Sequence, residues 1–177
     1  GGIRQATPPE NAGLAVSSAL EMTRRLASFN LDRKRLGEAP WTAGIGLCQG
    51  PVVFGNIGSQ DKMELTVIGD TVNLASRIEG LTRTYGCPIL VDDNIAAQAQ
   101  GEFEFLAVDT VRVKGRRQPE ALFCPFEADE KEAATGFAAA KALYHAGDFA
   151  AARAAFEKLP LSGRMIPPLA RCFIARC

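Results

Sequence analysis

Apolar residues recur at intervals of three and four through Ala12, Ala15, Val16, Ala19, Met22, Leu26 and Phe29, the period of a helix with one apolar face. The spacing predicts an amphipathic covering helix over about residues 10–36, after an irregular Gly- and Pro-containing stretch at residues 1–9. From Thr42 the pattern changes. Short apolar runs at 43–48 and 52–55 flank Gln49-Gly50-Pro51 and predict a β-hairpin. Residues 56–62 are polar and contain glycine, which predicts a mobile loop before a strand at 65–68 resumes the sheet. A helix from Asp70 to about Tyr85 follows, with Val72, Ala75, Ile78 and Leu81 on its inner face.

Residues 88–91 form a short apolar run, and Asp92-Asp93-Asn94 supplies the cap of a brief helix. Phe103, Phe105, Val111 and Val113 alternate with Glu102, Glu104, Arg112 and Lys114, a half-buried strand pattern. Residues 121–126 close the sheet. Helices and strands interleave, so the class is α/β (α+β), with a mixed sheet flanked by helices. At residues 128–132 the chain turns charged, and beyond it two alanine-rich helical stretches meet at Gly147. This places a boundary between units 1–128 and 129–177. Tyr144, Gly147, Phe149 and Ala152 are spaced as in one tetratricopeptide-type helix pair, and residues up to Cys177 offer a further helix.

Composition narrows the function classes. With 177 residues and 47% hydrophobic content the chain can bury one good core. Twenty basic and twenty acidic side chains cancel, which argues against a nucleic-acid partner and leaves any polyphosphate affinity to a local site. The five cysteines and single His145 have no zinc-ligand spacing, so reduced thiols in a cytoplasmic domain are expected. No apolar run approaches the roughly 20 residues of a membrane helix, which leaves open an anchor elsewhere in a longer polypeptide.

The densest chemistry lies at residues 66–77, Thr-Val-Ile-Gly-Asp-Thr-Val-Asn-Leu-Ala-Ser-Arg. An apolar strand turns at Gly69 and Asp70, the expected turn and N-cap, into a helix carrying Asn73 and Arg77 one turn apart on one face. Taken alone, such a pair is most often a solvated cap and surface ion pair. The run, together with Gly44-Ile45-Gly46, Gly50-Pro51-Val52-Val53, Gly55-Asn56-Ile57-Gly58-Ser59 and Val113-Lys114-Gly115 in order, resembles the class III adenylate/guanylate cyclase catalytic domain over residues 10–127.

That resemblance implies a ferredoxin-like cyclase fold and conversion of a nucleoside triphosphate to its 3′,5′-cyclic monophosphate and pyrophosphate. It gives Asn73 and Arg77 the transition state, Asn73 at the ribose and Arg77 at the α-phosphoryl oxygens. Thr66, with the backbone of Val67 and Ile68, meets the purine edge. The hydroxyl fits adenine, which favours ATP over GTP. Lys114 matches a lysine on the terminal phosphates, Gly69 and Asp70 are structural, and Lys62 has no firm assignment. The family uses Mg2+ or Mn2+ held by two aspartates, and a purine-reading lysine; the motifs that carry the aspartates are absent from residues 1–41, and the lysine belongs upstream of Gly1. By the same resemblance the active site is shared across a head-to-tail homodimer, and this chain alone is expected to be inactive. Two competing readings stand beside it: a catalytically degenerate nucleotide-binding module, and an adaptor whose helical tail binds a protein partner.

Overall fold

Thr7 starts the first helix because its backbone and side chain close a capping box. Its hydroxyl accepts from the amide of Glu10, whose carboxylate accepts from the Thr7 amide at 2.8 Å. Helix α1 (Pro8–Arg35) follows, with proline in its first turn. The computed structural model describes residues 7–59, 62–113, 118–160 and 163–177. Ala12, Val16, Ala19 and Leu20 of α1 enter the core, whereas Met22 and Phe29 remain exposed beside Trp41. These residues, with Leu26, Ala43 and Ile45, line an apolar cavity of about 390 Å³.

Strand β1 (Ile45–Leu47) does not pair with the run that follows it. It pairs in parallel with β4 (Ile89–Val91), Ile45 opposite Ile89, and forms one edge of a four-stranded sheet. Its neighbours are β4, then β6 (Glu120–Phe126), then β5 (Glu104–Val111), the last two pairs antiparallel. The predicted hairpin over 43–55 is thus corrected. The second run instead opens β2 (Val53–Ser59), which pairs antiparallel with β3 (Lys62–Ile68) as a separate ribbon from Val53↔Ile68 to Ser59↔Lys62. The expected loop at 56–62 is corrected with it, since strand pairing extends through all of those positions that are described. Polar residues and glycines keep their backbone donors and acceptors, and in a two-stranded ribbon with solvated faces a ladder needs little else.

Helix α2 (Asp70–Tyr85) lies on β1 and β4, burying Leu74, Ile78, Thr82 and Tyr85. Its inner face is rotated from the predicted one: Leu74 is buried and Val72 is 37% exposed. Asp92 caps α3 (Asp93–Ala99), accepting from Ile95 N at 2.9 Å with one oxygen and from Gln49 N at 3.2 Å with the other. Burial pushes its carboxyl above the usual range, and the two amide bonds oppose that shift. In β5 Leu106 and Val108 face the core, out of phase with the alternation expected from Phe103 and Phe105, and a register shift between Ala107 and Asp109 then returns the partly buried positions to Asp109 and Val111.

After a single 3-10 turn at Ala128–Glu130 come α4 (Lys131–His145), α5 (Phe149–Glu157) and α6 (Ile166–Arg176). Gly147, at φ 82°, makes the turn between the first two. Phe137, Phe156 and Phe173 meet with ring centroids 5.2–5.5 Å apart, and belong to the same core cluster as Val16, Ile78 and Leu122. Among the described residues no helix is long and apolar enough to cross a membrane.

Glu130 fastens α6 to this body. It is 3% exposed, and one carboxylate oxygen accepts from Met165 N at 2.8 Å and Ile166 N at 3.1 Å, two amides at the helix start. Glu130→Ala strands both donors, so urea denaturation should show a loss of about 3 kcal/mol, and Glu130→Gln, which keeps an acceptor, less than half of that.

Candidate functional site

Four short structural decisions place the corner between β3 and α2. The first is Gly69, which occupies the N-cap position in extended backbone (φ 165°, ψ 163°) without a side-chain cap. A Cβ there would stand 3.2 Å from the Pro51 carbonyl oxygen and 3.4 Å from Val52 Cα, so the chain passes too closely for a larger residue to fit without adjustment. Asp70 is therefore the first helical residue, a correction to its expected place as N-cap; its carboxylate stands in the first turn, where the helix dipole favours a negative charge.

The second decision is a tether. Thr71 Oγ1 donates to the Pro51 carbonyl at 3.0 Å and holds the first turn of α2 against the segment entering β2. The third is the closing of that turn by Asn73 N donating to Gly69 O at 3.3 Å. The fourth is the seat beneath the helix. A Cβ at Gly46 would lie 2.4 Å from the Ala75 carbonyl oxygen and 2.5 Å from Glu79 N. A Cβ at Gly44 would meet Thr82 Oγ1 at 2.0 Å. The two glycines of β1 and its approach thus let α2 lie at backbone contact with the strand. Sequence reasoning noted these glycines as a motif and missed their work; small residues at alternate strand positions are the signal that finds it.

On this frame Thr66, Val67 and Ile68 occupy the last positions of β3, Thr66 opposite Gly55 and partly buried. Asn73 is exposed in the first turn of α2 and Arg77 is partly buried one turn later, four residues on and so on the same helical face. Among the described residues Arg77 makes no ion pair or side-chain hydrogen bond, so the surface ion pair, with Glu79 or a distant acid, that the plain reading of an Asn and Arg one turn apart anticipates does not form there. Lys114 lies outside the described residues. Lys62 begins β3, at the far end of the ribbon from the corner.

The corner opens onto an apolar surface. Val53, Phe54, Leu65 and Ile68 of the ribbon are 67%, 66%, 65% and 50% exposed. By the register of the ladder Val53 and Ile68 stand on one face and Phe54 and Leu65 on the other, so the ribbon shows apolar side chains on both faces, the mark of a contact element. Chemically the corner offers a forked cation, a neutral amide and a hydroxyl, groups that bind and orient by hydrogen bonds and charge. Among the described residues no group of three or more His, Cys, Asp or Glu side chains is arranged to hold a metal ion, so the residues present do not fit a metal centre.

Comparison with known proteins agrees with this geometry. The sequence pattern of the adenylate and guanylate cyclase catalytic domain matches residues 3–124. An adenylate cyclase of Anabaena cylindrica is 36% identical over 120 residues, covering 64% of this chain and 24% of that protein. Adenylate cyclase 1 of Rhizobium meliloti is 33% identical over 102 residues, 58% of this chain and 15% of that one. The chain thus spans a quarter or less of the length of these relatives. Among solved structures, the guanylyl cyclase Cya2 superposes with a TM-score of 0.59 at 31% identity, covering 70% of this chain and 61% of that one. The adenylyl cyclase CyaB of P. aeruginosa, at TM-score 0.64 and 22% identity over 72% of this chain and 65% of that one, shares the fold.

Proposed function

Because the chain belongs to the adenylate and guanylate cyclase catalytic domain family, we propose that it supplies the transition-state half of a composite nucleotidyl cyclase site that converts ATP to 3′,5′-cyclic AMP and pyrophosphate. The observation that carries this reading is the corner itself: Asn73 and Arg77 on one face of α2, Arg77 without an ion pair among the described residues, directly after the Thr66–Ile68 end of β3 and beside an exposed apolar ribbon.

In the reaction the substrate's 3′-oxygen attacks the α-phosphorus, the bond from the α-phosphorus to the bridging oxygen breaks, and pyrophosphate departs while the hydroxyl proton is lost. The protein contributes position and charge rather than a covalent intermediate. Arg77 suits the α-phosphoryl oxygens because its guanidinium is permanently charged and can make two parallel hydrogen bonds. Asn73, neutral and one turn earlier, hydrogen-bonds the ribose and holds the sugar for in-line attack. The Thr66 hydroxyl accepts from or donates to the purine edge, with the Val67 and Ile68 backbone beside it, which supports ATP over GTP. Lys114 is assigned to the terminal phosphates on the strength of the resemblance alone.

The divalent ion such cyclases use finds no ligand cluster among the described residues, so the metal-binding duty falls to the other half of the site. A head-to-tail second subunit provides it, and the exposed ribbon supports that partner: Val53, Phe54 and Leu65 are apolar surface that no element among the described residues covers. Residues 1–128 form the catalytic unit in this reading, and residues 129–177 a tetratricopeptide-like helical extension, supported by the Gly147 turn and the aromatic cluster. The five cysteines stand as thiols rather than disulfides, which supports a cytoplasmic setting.

The test is complementation. This chain is tethered by a flexible linker to a class III cyclase domain that retains its metal-binding aspartates but has its own Asn and Arg changed to alanine. With Mn2+ present, cyclic nucleotide should form only in the tethered pair, and faster from ATP than from GTP. A tethered pair that is folded and silent overturns the reading.

A further inference from the structure

The helix that carries Asn73 and Arg77 is held at its other end by the last helix of the chain. Four contacts converge on the C-terminus of α2. Cys172 Sγ donates to the Thr84 carbonyl at 3.1 Å, satisfying one of the last-turn oxygens that a helix leaves unpaired. Tyr85, 2% exposed, donates its hydroxyl to Asp109 at 2.6 Å. Arg176 stacks its guanidinium 4.7 Å from the centre of the Tyr85 ring and 5.1 Å from that of Phe173, and pairs with the same Asp109 oxygen at 3.3 Å. Gly86, at φ 66°, ends α2 against α6: a Cβ there would lie 3.2 Å from the Pro168 carbonyl oxygen.

Asp109 is itself fixed. It stands at the β5 register shift, where its other oxygen accepts from Thr110 N at 2.8 Å and Lys141 of α4 donates to the neighbouring Ala107 carbonyl at 2.9 Å. Strand β5, braced by α4 at Ala107, and α6 therefore meet at one tyrosine on the far end of the site helix. The cation of Arg176 also lies where the helix dipole is negative.

From this convergence we propose that Tyr85, Asp109 and Arg176 are positioning residues for cyclisation: α6 sets the axial position and rotation of α2, and through that rigid helix the placement of Asn73 and Arg77. The inference rests on the catalytic role given above to those two residues. An α-helix transmits such a constraint because its internal hydrogen bonds leave it nothing to bend with over two turns, and Arg77 is eight residues, about 12 Å, from Tyr85. Small misplacements of a transition-state group are costly in rate. Burial first, and the hydrogen bond to Asp109 second, raise the Tyr85 pKa, which keeps the hydroxyl a donor at ordinary pH.

Two measurements test it, using Arg176→Ala, Arg176→Lys and the milder Tyr85→Phe. In the untethered full chain, amide hydrogen exchange should quicken about tenfold through α2 in Arg176→Ala, while the amides of Ile89–Val91 in β4 keep their rates. In the tethered pair, the same variant should lower kcat about tenfold with KM within about twofold, and Arg176→Lys should recover part of the loss. Exchange that quickens equally in α2 and β4 means general destabilisation and overturns the proposal, as does unchanged exchange in both Arg176→Ala and Tyr85→Phe. The two levels separate cleanly: if Arg77→Ala leaves turnover intact, the catalytic reading fails, whereas the exchange data judge the contact between α6 and α2 independently.

Discussion

Arg77→Ala should reduce kcat in the tethered pair by about 10²–10³-fold while changing KM for ATP by less than about threefold. The asymmetry follows from where the charge is needed. Negative charge on the α-phosphoryl oxygens grows as the 3′-oxygen bonds to phosphorus, so a guanidinium there gains most at the top of the barrier. In the structure that guanidinium is partly buried and has no ion-pair partner among the described residues, which leaves its donors available. Its removal breaks no ion pair or side-chain hydrogen bond among the described residues, so the urea midpoint should move little. Arg77→Lys should fall between, since a point charge replaces the fork. Equal kcat in Arg77→Ala and the parent chain, at equal stability, removes Arg77 from the mechanism.

Gly46→Val should be the most damaging substitution outside the reacting corner. A Cβ at this position would stand within 2.4–3.0 Å of Ala75 O, Glu79 N and Glu79 Cα. All three are backbone atoms, and no rotamer change moves them. Either α2 lifts from β1 or the strand yields, at a cost of about 3 kcal/mol on overpacking grounds. A helix displaced by about 1 Å carries Asn73 and Arg77 with it, so turnover in the tethered pair should drop about 10²-fold beyond any loss of folded protein. Gly55→Ala is the control, because a Cβ there meets nothing within 4 Å. Urea denaturation and turnover measured side by side decide the matter: a Gly46→Val chain as stable and active as Gly55→Ala would refute the seat.

What could be read from the sequence were the features whose cause is local. The Asp92 cap of α3 and the apolar strand ending at Gly69 each sit within a few residues of the structure they determine, whereas the capping box at Thr7 falls in the stretch read as irregular. The corner was legible for that reason, down to Asn73 and Arg77 sharing a face. Strand pairing was not. Ile45 finds its partner at Ile89, and no pattern in the 43–55 run says that it should prefer a distant parallel strand to the adjacent one. The rotation of α2, with Leu74 inward and Val72 outward, is likewise set by the glycine seat on β1 rather than by helical period. Arg176 and Asp109 are 67 residues apart, and nothing in either neighbourhood announces the other.

The ribbon of β2 and β3 has a practical side. Its side chains are exposed, β1 stands at one edge of the four-stranded sheet, and the chain's formal net charge is zero with an isoelectric point near 6.8. Near neutral pH, then, colloidal repulsion between copies is at its weakest while adhesive surface is on display. A preparation should therefore clear of turbidity as the buffer is moved away from neutrality in either direction, and added salt should offer little protection, because what draws the molecules together is not their charge.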